Sequence, residues 1–325
     1  MKFNKKLLLL FSIFIFLIPI NIFATKLILG GENIGITVNT KDVVVVGFYK
    51  INNEYIAKNE GYLEGDKIIK INDKKIESIN DLITTINNIE DKNNIIATID
   101  RNGKELKLKL PLVKENDNYK TGLYIKDQIT GLGTLTYINP ETNKFAALGH
   151  EIIDSKNGKI VDIRNGTIYD SNITGIKKST VTETGEKNAI FNQSNAFGTI
   201  EKNSNKGIYG NYTIKTDENK LVETATKEEI VLGKAYIYTV LKNKSVQKYE
   251  INIIKLNNNQ ETKNILFEIT DKELIDQTNG VVKGMSGSPI VQNDKLIGAV
   301  THAIINDTTK GYGIFIENML KEENN

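Results

Sequence analysis

The longest apolar run comes first. Residues 7–20 are hydrophobic except for Ser12 and Pro19, with Lys2, Lys5 and Lys6 in front and the small Ala24 behind. A basic head followed by an apolar body predicts an export segment over residues 1–26, a signal peptide or a membrane anchor. The run is short for a comfortable span, and Ile22 stands where cleavage prefers a small residue. Cleavage and retention therefore both stay open. From residue 34 to 113 the pattern is that of a small α/β unit. Val43-Val44-Val45-Val46-Gly47-Phe48 is β-branched and apolar, which predicts a buried strand. Gly61-Tyr62-Leu63-Glu64-Gly65-Asp66 reads as a turn, and residues 67–71 as a strand that turns at Asn72-Asp73. Ile79, Leu82, Ile83 and Ile86 recur at helical spacing, and Ser78 or Asn80 offers the cap. Residues 95–99 and 105–110 read as strands joined by a turn at Asn102-Gly103, and Pro111 ends the unit.

Beyond residue 121 short apolar runs alternate with Gly, Asn and Asp. Residues 133–138, 159–163, 229–241, 249–256 and 295–303 read as strands, whereas 202–206 and 257–264 read as exposed loops. Short strands at regular spacing predict a sandwich or barrel.

Composition narrows the chemistry. The chain has 325 residues, enough for about two domains. Its 42 basic and 40 acidic residues leave a net charge of +2, so no broad field draws nucleic acid. Cysteine is absent, which excludes disulfides, thiol nucleophiles and Cys-ligated metals. His150 and His302 are the two histidines, too few for a multi-His metal site. No metal or other cofactor is expected, and any histidine base is one of these two.

Two stretches carry candidate chemistry. Gly284-Met285-Ser286-Gly287-Ser288-Pro289 leads into an apolar strand, a turn at Asn293-Asp294 and a Gly-bearing strand. A glycine-flanked serine can project its hydroxyl while backbone N–H groups face a developing oxyanion. Ala146-Ala147-Leu148-Gly149-His150 places a histidine just after an apolar run. Such a histidine is commonly structural, but with a serine loop downstream it becomes the expected base.

Residues 33–36 (Asn-Ile-Gly-Ile), the valine strand, and the run from Gly61-Tyr62-Leu63-Glu64-Gly65-Asp66 through Asn72 resemble a bacterial PDZ domain. That resemblance implies an extended peptide added to a sheet edge, with Gly35 and Ile36 at the carboxylate-binding loop. The stretch around Ser286, and Gly311-Tyr312-Gly313-Ile314-Phe315 after it, resemble the nucleophile hairpin and closing strand of chymotrypsin-like peptidases. The expected fold is mostly β: an N-terminal segment, a small α/β PDZ domain over 34–113, and a chymotrypsin-like double β-barrel over 121–325. In that fold the base of the primary specificity pocket lies six residues before the nucleophile, here Gly280, with Thr301, His302 and Ala303 as walls. A pocket without a carboxylate predicts a small or apolar preference.

The whole order of export segment, PDZ, ALGHE, GMSGSPIVQNDKLIGAVTH and GYGIFIE resembles the stage IV sporulation protein B peptidases. The resemblance implies His150 as base, Ser286 as nucleophile and Asp271 as acid, with Gly284 and Ser286 N–H groups as the oxyanion hole. Asp271 lies only fifteen residues before Ser286. Chymotrypsin-like topology puts the acid nearer the histidine, where Asp162 or Asp170 would serve, and the alternatives remain open. The resemblance further implies export into the space between the two sporulation membranes. By the same resemblance, the peptidase is expected to cleave there a membrane-bound regulator of an intramembrane metalloprotease and so activate a late mother-cell sigma factor. PDZ-mediated self-cleavage between copies belongs to the same expectation. The alternative is a non-catalytic exported PDZ scaffold.

Overall fold

The computed structural model describes residues 25–324 except 117 and 155–157. The expected export segment, but for Thr25 and Lys26, lies outside the described residues. Among the described residues no helix is long and apolar enough to cross a membrane.

Strand β1 (Lys26–Leu29) is followed by β2 (Asn33–Phe48), a single strand that serves two cores. Ile34, Ile36 and Val38 alternate into one core, and Val43 and Val45 into another. The register shifts between Asn39 and Val44. An inserted α/β unit follows: β3 (Lys67–Ile71), β4 (Lys74–Lys75), the helix Ile79–Asn88, β5 (Ile96–Arg101) and β6 (Lys104–Lys109). A hairpin of β7 (Val113–Glu115) and β8 (Asn118–Lys120) leads to β9 (Leu123–Asn139), which returns along β2. Residues 123–126 of β9 pair with the part of β2 in the unit, and 128–134 with the part outside it. The expected boundaries at 34, 113 and 121 therefore differ from the observed crossings. The chain leaves the first core near residue 40 and re-enters it near 128.

The unit packs around Val43, Val45, Tyr62, Ile68, Leu82, Ile99 and Leu123. Its helix starts where the apolar spacing predicts, and the Ser78 hydroxyl accepts the Asp81 N–H at 3.0 Å. The turn before β3 is held by Asp66. Its buried carboxylate accepts the Leu63 N–H at 2.8 Å and a fork from Arg101 Nε and Nη2, both at 2.7 Å. Such bidentate pairing offsets the cost of taking a carboxylate out of water.

Four more strands complete the first barrel: β10 (Lys144–Ala147), β11 (Ile163–Lys177), β12 (Glu186–Ser204) and β13 (Gly207–Tyr212). The order β2-β9-β10-β13-β12-β11 closes on β2. Phe145, Ile168, Ile200 and Ile208 fill it with the alternating residues of β2. Then come β14 (Leu221–Thr224), β15 (Gly233–Val240), β16 (Val246–Leu256), β17 (Ile265–Ile269), β18 (Pro289–Gln292), β19 (Lys295–Ala303) and β20 (Lys310–Phe315). Here β15-β16-β17-β20-β19-β18 closes on β15 around Ile237, Ile251, Phe267 and Val300. Residues 202–204, expected in a loop, extend β12.

A shared cluster of Leu27, Tyr137, Ala146, Leu296, Ile314 and Met319 joins the barrels. Strand β1 pairs with β9 and β14, and β14 runs parallel to β19, which ties one barrel to the other. The double-barrel, mostly β architecture is the one the sequence predicts.

Candidate active site

His150 follows β10 of the first barrel. Leu148 and Gly149 both take positive φ, 70° and 69°, and turn the chain sharply after Ala147. A buried leucine in that region is strained, and such strain is held by surrounding packing. The Leu148 N–H reaches the Thr134 carbonyl at 3.4 Å. His150 Nδ1 lies 2.8 Å from the Glu151 carbonyl oxygen. A carbonyl only accepts, so Nδ1 carries the proton and Nε2 keeps its lone pair.

Ser286 stands in the loop before β18 of the second barrel. Gly284 and Gly287 have φ of 94° and 93°. A Cβ on Gly287 would collide with the Thr134 carbonyl, so this glycine lets the serine loop press against β9 and the histidine turn. The Ser286 carbonyl accepts the Thr134 N–H at 2.9 Å, and the Gly287 N–H donates to Val300 at 2.8 Å. The Ser286 hydroxyl, half-buried, donates to the Thr301 carbonyl at 2.9 Å. Among the described residues no hydrogen bond links it to His150. The N–H groups of Gly284 and Ser286 likewise find no acceptor there.

The strand carrying Thr301 also brings in His302, whose ring centre is 4.9 Å from that of His150. His302 Nδ1 is buried without a partner among the described residues. Burial first, and then the neighbouring His150, hold His302 down to about 4. Burial also holds His150 below its ordinary value, opposed by the Glu151 carbonyl. The charges that act on His150 are Glu151 and Lys263.

None of the three candidate acids is placed at this histidine. Asp271 caps the helix Lys272–Thr278: its carboxylate accepts the Leu274 N–H at 3.0 Å and the Glu250 N–H at 3.4 Å. In register, His302 opposes Tyr312 and Tyr312 opposes Leu266. Asp271 follows five residues beyond Leu266, on the order of 15 Å along the strand direction. Asp162 is exposed and 3.9 Å from Lys41, and Asp170 is engaged by Lys244 and Asn195. Sequence spacing could not separate a helix cap from a catalytic acid, because both call for an aspartate at the end of a strand.

Other expected positions are also relocated. Gly280 packs against the Thr308 backbone, whose carbonyl accepts the Val281 N–H at 2.7 Å, so the chain itself fills that space. Thr301 is buried and donates to the Tyr312 carbonyl at 3.1 Å, whereas His302 and Ala303 are partly exposed. Gly35 and Ile36 lie inside β2 between β9 and β11, opposite Leu132 and Gly131 on one side and Tyr169 and Ile168 on the other. With both edges paired, they form no carboxylate loop. Sequence reasoning missed Glu151, whose backbone carbonyl and charge both act on His150, and Lys187, a lysine in a run without apolar periodicity.

The family model for SpoIVB peptidase S55 matches residues 117–320. The chain is 32% identical over 108 residues to a putative zinc metalloprotease, FN1322, of Fusobacterium nucleatum subsp. nucleatum, which covers 33% of this chain and 30% of the relative. The chain thus spans under a third of that curated relative. Among solved structures, the inactive form of Rv3671c protease is similar at TM-score 0.34 and 13% identity, over 58% of this chain and 81% of the other. A serine-to-alanine mutant of Rv3671c from M. tuberculosis H37Rv, also inactive, gives TM-score 0.32 and 11% identity, over 59% and 79%. With the serine loop of one barrel pressed on the histidine turn of the other, and a family match over most of its length, the chain belongs to the SpoIVB S55 family of serine peptidases.

Proposed function

We propose that the chain is an exported endopeptidase of endospore formation, working through a Ser286–His150 pair. The observation that supports this reading is the packing of Gly287, next to Ser286, against the Leu148 backbone two residues before His150. In the reaction Ser286 Oγ attacks the scissile carbonyl and His150 Nε2 takes its proton. The N–H groups of Gly284 and Ser286 receive the oxyanion. His150 then gives the proton to the leaving amine, and water cleaves the acyl-enzyme by the same route. The Glu151 carbonyl orients the imidazole, a role that a carboxylate fills in the usual triad.

The substrate in this reading is the extracytoplasmic part of a membrane-bound regulator of an intramembrane metalloprotease, met between the two sporulation membranes. Cleavage activates a late sigma factor. The inserted unit acts as the PDZ-type module that recruits a peptide and supports self-cleavage between copies. Its peptide edge is residues 123–127 of β9, beside the helix Ile79–Asn88, rather than Gly35 and Ile36. Supporting this, residues 123–126 pair on one side only, and Asp127 accepts the Ile79 N–H at 3.0 Å.

A fluorophosphonate probe tests the chemistry. Label is expected on Ser286 in the folded wild type and is lost in Ser286→Ala and His150→Ala. A wild type that takes no label, while a related peptidase does, favours the non-catalytic scaffold.

A further inference from the structure

Lys187 is the second residue of β12, and its side chain is buried against the nucleophile loop. Among the described residues no carboxylate meets it. Nζ donates to the Thr239 hydroxyl at 2.8 Å and to Asn33 Oδ1 at 3.0 Å. Thr239 Oγ1 also accepts the Ser288 hydroxyl at 3.0 Å. Ser288 follows Gly287 in the same turn, and its Oγ lies 3.5 Å from Thr134 Oγ1. Thr134 in turn donates to the Gly284 carbonyl at 2.7 Å. Nζ, Thr239 and Ser288 thus form one polar chain beneath the loop, and Thr134 tethers Gly284 beside it.

Lys187 also holds the loop directly. Its backbone N–H donates to the Lys283 carbonyl at 3.0 Å. A Cβ on Gly284 would lie 3.2 Å from Lys187 Cδ, so the aliphatic stem packs on that residue. Backbone, stem and ammonium all act on the segment whose N–H groups are aimed at the oxyanion.

Stability does not account for a lysine buried here. An ammonium taken out of water without a countercharge is costly, and an apolar residue of similar length would pack there more cheaply. Burial alone pulls Lys187 down to about 7. What the amine adds is its directed hydrogen bonds.

We infer that Lys187 is a positioning residue for the nucleophile loop, fixing Gly284 through its backbone and stem and Ser286 through Thr239 and Ser288. This rests on the peptidase reading above. Preorganised donors matter because they stabilise the oxyanion with no reorganisation cost as it forms.

The test is steady-state kinetics on a peptide substrate together with the rate of fluorophosphonate labelling. Lys187→Met keeps length and apolar stem and removes the ammonium. Its kcat is expected to fall at least tenfold, with KM within about twofold, slower labelling and undiminished thermal stability. Thr239→Val leaves the lysine but cuts its link to Ser288, and a smaller loss of the same kind is expected. Wild-type kcat in Lys187→Met overturns the inference, as does a loss confined to KM. If Lys187→Met does not fold, Thr239→Val decides alone: unchanged kcat and labelling reject the role. Failure of the peptidase reading is separate, since the wild type itself would then take no label.

Discussion

The rings of His150 and His302 stand 4.9 Å apart, and burial holds both below the ordinary histidine value. A base must be unprotonated to accept the serine proton, so a lowered pKa extends activity to lower pH. The acid limb of kcat/KM is expected below 6.5, the ordinary histidine value. His302→Ala opens His150 to water and should move that limb upward, toward 6.5. A pH profile of both enzymes checks this, and an unmoved limb would show that His302 does not shield the base. The same burial has a stability consequence. Between about pH 6.5 and 4 the unfolded chain binds protons that folded His302 refuses, so stability falls as pH falls through that window.

At the scale of elements, the helix Lys272–Thr278 depends on Asp271 for its first turn. Asn caps as well as Asp, whereas Ala does not. Asp271→Ala is therefore expected to cost about 1 kcal/mol in urea denaturation, with little change in kcat for the folded fraction. Asp271→Asn should match the wild type in both. An inactive but folded Asp271→Asn enzyme would restore the carboxylate to the chemistry. This residue also marks how far the sequence could be read. The helix Ile79–Asn88, the strand Lys295–Ala303 and the serine loop were legible because periodicity and glycine spacing each leave a local trace. The acid was not, since a cap and a triad member look alike in one dimension. Nor was the true role of residues 33–40. Their Ile34, Ile36, Val38 alternation is that of a strand, but Gly35 fits a loop equally well, and only the partners β9 and β11 decide.

For the whole molecule, the inserted unit hangs on two strands that pass unbroken between cores. Arg164 of the first barrel locks the joint: Nε donates to the Thr40 carbonyl at 2.9 Å and Nη2 to Asp127 at 3.1 Å. Removing residues 34–113 would take a strand out of the closed barrel, and such a variant is expected not to fold. Removing 41–126 and joining the ends with an Asn-Gly turn keeps the Asn39–Gln128 pair. That shortened chain should fold and still label at Ser286, while losing cleavage of a protein substrate more than of a short peptide. Circular dichroism and labelling distinguish the outcomes. The same arrangement sets an order of assembly. Asn39 and Gln128 are neighbours in space but far apart in the chain, and a loop that long closes at an entropic cost that grows with its length. Once residue 127 has emerged the inserted unit has all its strands, whereas the first barrel still lacks residues 128–139 of β9 and all of β10 to β13. The insert is expected to fold first and deliver β2 and β9 already side by side, as a template on which the rest of the peptidase closes; pulsed hydrogen exchange during refolding should protect residues 43–45 and 123–126 before those of β10 to β13.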